Sequence, residues 1–534
     1  MTMPIAFILF CFVFWVKFVQ RERRDPRVWH RAFPLDGDIG DAMVHLLIVD
    51  LIRANGHRLI SEAPQFLLSS PFDYPALFHK LLSYIPRPVL ERREVLILPA
   101  IEASMAALVF TAAEHLLSQL APPVFDGHLL ATLVVLALTF TPQFFQNFAR
   151  MAVLSERPFG VLFANIYLFS VAMLTATADP WWLVAMLPAY AITATASKFG
   201  NQAMVSISVG MSVLLVDPIP VGGLAASMLF AVVVSGGYVL TVWRGAIRHS
   251  RFYRDVAVKM HPYTRSFSIA DLRPALQDIW QGLQGRDLGA CLRACDRHPL
   301  LALFPRFPWL VPFFLAVALN LGGGDGTSIA GALTAWGIAA ILVCVATMTD
   351  SLKFLGEGER YLEYGFLPIL VVTLLGPPWL ALVVCFFISR HVGTWRDVYF
   401  RTEIKPMISD AQREMVNYVR ALPATTITTI PLRLSFPLCY GTEHKTPWLL
   451  ANIPGGECFR RFEAFYQRLT PNQFISPTEI VNISDEYGVE ILVADKSSLE
   501  WIERYLSLEY DFSKFKIIFD NDNYMVVRLM EKAT

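Results

Sequence analysis

Between Leu35 and Leu46 the chain packs three carboxylates, Asp36, Asp38 and Asp41, into six residues. They are hinged by Gly37 and Gly40 and followed by His45. Asp41 precedes a run of helix formers reaching Ala54, so it can cap that helix with its carboxylate at the N-terminus, where the dipole favours the ionised form. A carboxylate held in this way at a membrane surface can work as a general base. His45 follows one turn later on the same helix face and can orient that carboxylate or an acceptor. Asp36-x-Asp38 offers oxygen ligands to a divalent cation, although a solvated acidic loop needs none. An ordinary helix cap uses the same residues, so the surrounding elements must decide between the two.

Those elements belong to a membrane protein. Hydrophobic residues make up 54% of the 534 and charged residues 17%, against about 25% charged in an average soluble domain. Lys+Arg and Asp+Glu balance at 45 each, which gives no reason to expect nucleic acid or an acidic partner. The seven cysteines are scattered, and Cys291-x-x-x-Cys295 lacks the companions of a zinc site. The first apolar run, Pro4 to Val19, has no basic residue before it and no small-residue cleavage site after it, so it reads as a span.

Further apolar runs lie near 95–117, 128–146, 158–176, 180–196, 203–217, 220–243, 307–321, 328–349, 361–376 and 378–390. The expected fold is therefore a polytopic α-helical membrane protein of about eleven transmembrane helices over residues 1–390. It has a first large loop at 20–94 and a basic loop at 244–306. In the first loop two short helices are expected to lie on the membrane, the second opened by Asp73 and Pro75 and striped by Leu77, Leu81 and Leu82. Residues 391–534 change composition and alternate helical and extended patterns: Pro477–Tyr487 helical, Val489–Ala494 extended, Ser497–Leu508 helical, Phe515–Phe519 and Tyr524–Leu529 extended about an Asn521-Asp522-Asn523 turn. This is a soluble α/β domain. With eleven spans, nearly all lysine and arginine falls on one side, a face suited to an anionic substrate.

Asp41-x-x-x-His45 with its helix to Gly56, followed by Tyr74-Pro75-x-Leu77, resembles the first large loop of the GT-C superfamily of integral-membrane glycosyltransferases, which includes the protein mannosyltransferases and the lipid A aminoarabinose transferase. Gly356 to Tyr364 with Pro368 looks like the Arg-Tyr…Pro element that closes that family's donor site. Ser155-Glu156-Arg157-Pro158 and Ser197-Lys198-Phe199 sit where the family has polar groups at the mouths of middle spans. The resemblance implies an inverting transfer of sugar from a polyprenyl-phosphate carrier, with Asp41 as base. Arg360, then Lys198, then Lys353 would hold the leaving phosphate. His45, Asp38, Tyr74, His79, Glu156 and Tyr361 would support the site or meet the acceptor. The family carries Asp-Glu at its catalytic loop in many members, whereas this chain has Asp41-Ala42.

The implied partners are a polyprenyl-phosphate-linked sugar and membrane lipids; no cofactor is required, with a divalent cation at Asp36 and Asp38 as the option. The family works on the extracytoplasmic or lumenal face, while the positive-inside rule points the arginine-rich face to the cytoplasm. Two other classes stay open. In a transporter, Glu102, Glu114 and Lys198 would line a pathway between broken helices. A ligase or polymerase of diphosphate-linked glycans would need an arginine cluster larger than Arg360 alone.

Overall fold

The computed structural model describes residues 2–24, 40–69, 71–120, 125–141, 154–257, 267, 269–320, 328–401, 409–450, 455–470 and 474–529. In chain order its helices are α1 (Thr2–Arg24), α2 (Gly40–Ala54), α3 (Leu77–Ser83), α4 (Arg87–Leu120), α5 (Gly127–Phe140), α6 (Arg157–Thr177), α7 (Trp182–Ala196), α8 (Lys198–Leu215), α9 (Ile219–Val234), α10 (Tyr238–Phe252), α11 (Ile269–Gln284), α12 (Leu288–Arg297), α13 (Pro299–Arg306), α14 (Leu310–Asn320), α15 (Ile329–Thr347), α16 (Phe366–Leu375) and α17 (Trp379–Arg396). A 3-10 segment, Gly358–Tyr364, joins α15 to α16.

Four stretches among the described residues are long and apolar enough to cross a membrane, Met3–Arg21, Arg87–Leu120, Arg157–Thr177 and Ile329–Thr347. The number rises to six if each of two bent pairs is one span. Hydropathy alone suggests about eleven because it also scores apolar helices of 10–17 residues, such as α5, α7 and α16. These are short of the roughly 20 residues a crossing takes. The run at 220–243 is one of the bent pairs. Gly236 and Gly237 adopt φ of 58° and 83°, a left-handed turn that glycine enters without a Cβ clash, and the chain bends by 117° there.

Two large apolar cores result, beside a small cluster of Val16, Phe140, Trp395 and Tyr399. One fills the helical bundle, where Phe110, Tyr167, Trp336 and Leu370 are buried. The other is shared between the first loop and the C-terminal region, with Met43, Ile48, Phe66, Tyr440 and Val493 in one cluster. The C-terminal part contributes β1 (Ile427–Ile430), β2 (Ile491–Asp495), β3 (Lys516–Asp520) and β4 (Tyr524–Arg528) in the order β1-β2-β4-β3. β1 and β2 run parallel, with Ile427 opposite Ile491, and β2 and β4 antiparallel, with Ile491 opposite Arg528. The central strand β2 is apolar from Ile491 to Ala494 because it is buried there.

This second core changes the reading of α2. Met43, Val44, Leu46, Leu47, Ile48 and Val49 are all buried, so the helix is enclosed by protein on successive faces rather than laid on a membrane. The Leu450 amide donates to Ser69 Oγ at 2.6 Å and Tyr440 OH donates to Glu91 Oε1 at 2.9 Å, further fastening the C-terminal region to the first loop. On α3 the expected stripe divides: Leu82 is buried while Leu81 is 48% exposed.

Candidate functional site

Of the side chains singled out by sequence, His45 on α2, Tyr74 before α3, His79 on α3 and Glu156 at the mouth of α6 meet, while Arg360 and Tyr361 on the 3-10 segment meet at the ring of Phe199, next to Lys198 at the start of α8. α2 begins at Gly40, so Asp41 is its second residue and lies in the first turn instead of capping it. A one-residue shift of this kind is within the ordinary ambiguity of helix ends. Gly56, with φ of 65°, stands just past the last turn. The side chain of Asp41 and the whole of Asp36 and Asp38 lie outside the described residues.

His45 and His79 are buried against each other, His45 Nδ1 standing 2.8 Å from His79 Nε2. His45 Nε2 is 3.2 Å from Glu156 Oε2, while Tyr74 OH donates to the other Glu156 oxygen at 2.8 Å. Four residues that the sequence placed on three separate segments thus meet. Burial, reinforced by neighbouring His45, pushes the His79 imidazole well below its usual pKa, so it is neutral at physiological pH. One ligand atom from each of His45, His79 and Glu156 lies within 4.8 Å of the others, and two imidazoles with a carboxylate are a donor set that can hold a divalent metal ion.

Asp73 does not open α3. The residue before α3 is Ala76, with no side-chain cap, and Asp73 instead forms an ion pair with Arg248 near the end of α10. Tyr238, at the start of α10, donates its hydroxyl to the Tyr74 carbonyl at 2.5 Å and accepts from the Ala76 amide at 3.2 Å. The bend at Gly236–Gly237 therefore sends α10 back across the site to hold the Asp73–Ala76 segment. Gly245 permits the approach: a Cβ there would lie 2.4 Å from Asp73 Cγ. Gly245→Val should drive the two elements apart, lowering stability by about 1–3 kcal/mol, as a fall in the unfolding midpoint of the detergent-solubilised chain would report.

The three cations expected to hold phosphate differ in their surroundings. Arg360 donates through Nε to Glu357 Oε2 at 2.7 Å and stands 5.6 Å from the centre of the Phe199 ring. Tyr361 stacks obliquely on the same ring at 4.7 Å. Lys353 pairs with Asp350 at 3.0 Å, away from these rings. Lys198, the neighbour of Phe199, makes no such pair among the described residues and lies near enough to His249 to add to the lowering that burial imposes on that imidazole. Lys198 precedes the apolar run 203–217, and burial pushes its ammonium down to about 7. Burial opposes ionisation of Glu357 too, but the Arg360 and Arg157 guanidiniums hold its carboxyl below the usual range.

Sequence reasoning named Arg157 and Glu363 only inside their motifs and gave neither a role; they form a buried ion pair joining the first residue of α6 to the 3-10 segment. Asn165 Nδ2 donates to the Glu363 carbonyl at 3.4 Å alongside. The available signal was opposite charges beside apolar runs, where burial is costly unless they meet. Arg306 pairs with Glu359 at 2.7 Å on the same segment. From α2 to Arg360 there is thus a chain of direct contacts: His45 to Glu156, its neighbour Arg157 to Glu363, and Glu363 on the segment that carries Arg360.

The fold is similar to that of solved archaeal membrane-enzyme structures. Among solved structures, the archaeal oligosaccharyltransferase AglB from Archaeoglobus fulgidus, in complex with an inhibitory peptide and a dolichol-phosphate, matches over 92% of this chain and 69% of its own, with a TM-score of 0.53 and 10% identity. The Archaeoglobus fulgidus oligosaccharyltransferase in complex with zinc and sulfate matches over 93% and 70%, with a TM-score of 0.51 and 12% identity. These likenesses are of fold. No protein-family model and no curated protein matches the chain.

Proposed function

We propose that the chain is a multi-pass membrane glycosyltransferase that moves a sugar from a polyprenyl-phosphate carrier to a lipid, glycan or protein acceptor on the extracytoplasmic or lumenal face. The observation that carries this reading is the convergence just described, in which the helix bearing Asp41 is tied by His45, Glu156, Arg157 and Glu363 to the segment bearing Arg360. A base on one element and cations on another are what an inverting displacement needs. Asp41 takes the proton of the acceptor hydroxyl, the freed oxygen bonds to the anomeric carbon, and the carbon–oxygen bond to phosphate breaks. Charge develops on the departing polyprenyl phosphate, where a fixed ammonium or guanidinium lowers the barrier. That the fold is found in an oligosaccharyltransferase complexed with dolichol-phosphate supports a lipid-phosphate carrier.

Of the three cations, Lys198 is first for the phosphate, because Arg360 is already neutralised by Glu357 and Lys353 by Asp350. Arg360 and Tyr361 would shape the pocket beside it. Bound at His45, His79 and Glu156, a divalent ion would supply a fixed positive charge beside the acceptor path.

The test is release of polyprenyl phosphate from a synthetic polyprenyl-phosphate sugar by the purified chain in nanodiscs, with Lys198 as the probe. A pKa near 7 means that the ammonium is charged below that pH and neutral above it. Donor affinity should therefore be greatest below pH 7 and weaken by up to about tenfold per pH unit above it, until the bound phosphate's own stabilisation of the ammonium levels the curve. Lys198→Arg should flatten the profile, and Lys198→Ala should weaken binding by the roughly 1.5–3 kcal/mol of a charge-assisted contact. A flat wild-type profile would remove Lys198 from the phosphate site; no release from any polyprenyl-phosphate sugar would sink the glycosyl-transfer reading.

A further inference from the structure

We propose that His45, His79 and Glu156 bind one transition-metal ion of the zinc class, pinning α2, the first turn of α3 and the mouth of α6 to a single point. The inference stands on the geometry of these three residues and does not depend on the transfer reaction.

The two imidazoles lie nearly parallel, with ring centres 5.0 Å apart, and both are buried. They bring four ring nitrogens, of which three have partners: His45 Nδ1 and His79 Nε2 each other, and His45 Nε2 the Glu156 carboxylate. His79 Nδ1 is buried without a hydrogen-bond partner. A protein interior seldom leaves such an atom unmatched. A metal ion takes lone pairs rather than protons, so it can satisfy a neutral imidazole nitrogen that no donor faces.

The distances fit. Metal–nitrogen and metal–oxygen bonds of about 2.0–2.2 Å put tetrahedral ligand atoms a little over 3 Å apart, and the three donors already lie within 4.8 Å of one another. Their chemistry chooses the ion: imidazole nitrogen favours zinc, copper, iron and nickel, whereas magnesium, calcium and manganese prefer all-oxygen sets. Here the oxygen donor is also prepared, because Tyr74 OH holds Glu156 Oε1 and leaves Oε2 toward His45. Such an outer hydrogen bond orients a ligating carboxylate. Tyr74 is fixed in turn by Tyr238, whose hydroxyl donates to its carbonyl.

The site would differ in kind from an ion held by the Asp36-x-Asp38 loop. His45 is one turn beyond Asp41, so an ion on its imidazole would fix the first turn of α2, while a hard cation on the acidic loop would need no histidine.

The experiment is metal uptake by the full chain in detergent after chelation, using Zn2+ alone and Co2+ as a coloured stand-in. We expect about one equivalent bound, with cobalt giving the intense visible absorption of a tetrahedral nitrogen–oxygen site. His79→Ala and Glu156→Gln should abolish both. Tyr74→Phe removes only the hydroxyl that orients Glu156, so it should keep the chain folded and weaken uptake by about 10–100-fold. Uptake unchanged in folded His79→Ala, cobalt bound without a tetrahedral spectrum, or no uptake at all would each overturn the site. Should the histidine variant fail to fold, unchanged affinity in Tyr74→Phe would do the same. Asp36→Asn with Asp38→Asn, leaving uptake intact, is expected and separates this ion from one on the acidic loop.

Discussion

Asp41→Asn is expected to stop sugar transfer and to leave the chain folded. The amide keeps the size and hydrogen-bonding reach of the carboxylate but has no lone pair basic enough to take a hydroxyl proton, so the acceptor oxygen must attack with its proton still on. Removing a positioned base costs about 10²–10⁴ in rate. The fold should survive because asparagine serves a helix N-terminus about as well as aspartate, and because the helix is held by Met43, Leu47, Ile48 and Ile52 in the core it shares with the C-terminal sheet. The check is polyprenyl phosphate release per purified chain, alongside an unfolding midpoint. Turnover within a few-fold of wild type would remove the base from this position, and a collapsed midpoint would make the loss of rate uninformative about chemistry. Asp41→Glu is the sharper control. It retains a base one methylene longer, so partial activity there with none in Asp41→Asn identifies proton transfer as the step affected.

What could be read from the sequence follows the range of the interactions involved. The end of α2 before Gly56 and the hairpin of β3 and β4 about Asn521–Asn523 rest on local chemistry, a left-handed glycine and a turn rich in Asn and Asp, and both are where the pattern put them. The helix at Ile480–Tyr487 and strand β2 likewise follow from short-range periodicity. β1, Ile427–Ile430, escaped because it is only four residues long and its place is set by pairing with β2 some 60 residues on. The bend at Gly236–Gly237 was hidden inside a run whose hydropathy is continuous, since hydropathy averages over a window and does not see two glycines. For the site, the residue types were legible while the pairings were not. His45, His79, Tyr74 and Glu156 could be named one by one, but no spacing says that four positions spread over more than a hundred residues share two hydrogen bonds and an ion pair. Arg360 looked the best phosphate ligand because its local motif is the most distinctive, and the carboxylate that occupies it, Glu357, was part of the same motif.

The second large effect concerns the joint between the two halves of that site. Arg157→Ala should destabilise the chain by about 3–5 kcal/mol, the range for stripping one partner from a buried ion pair. The Arg157 side chain is 8% exposed and that of Glu363 1%, so the carboxylate loses its guanidinium in a setting nearly closed to water. Arg157→Met combined with Glu363→Leu is expected to recover much of the stability, since two apolar side chains of similar volume carry no desolvation penalty. Recovery of stability should not bring recovery of transfer. Arg157 also helps hold the Glu357 carboxyl in its charged form, and Glu357 engages Arg360, so an uncharged pair leaves the donor side of the site altered. Unfolding midpoints of the single and double variants, set beside their release of polyprenyl phosphate, separate the two roles. A single variant as stable as wild type would mean that the pair contributes nothing to the fold, and a double variant with full activity would limit Arg157 to holding the helix in place.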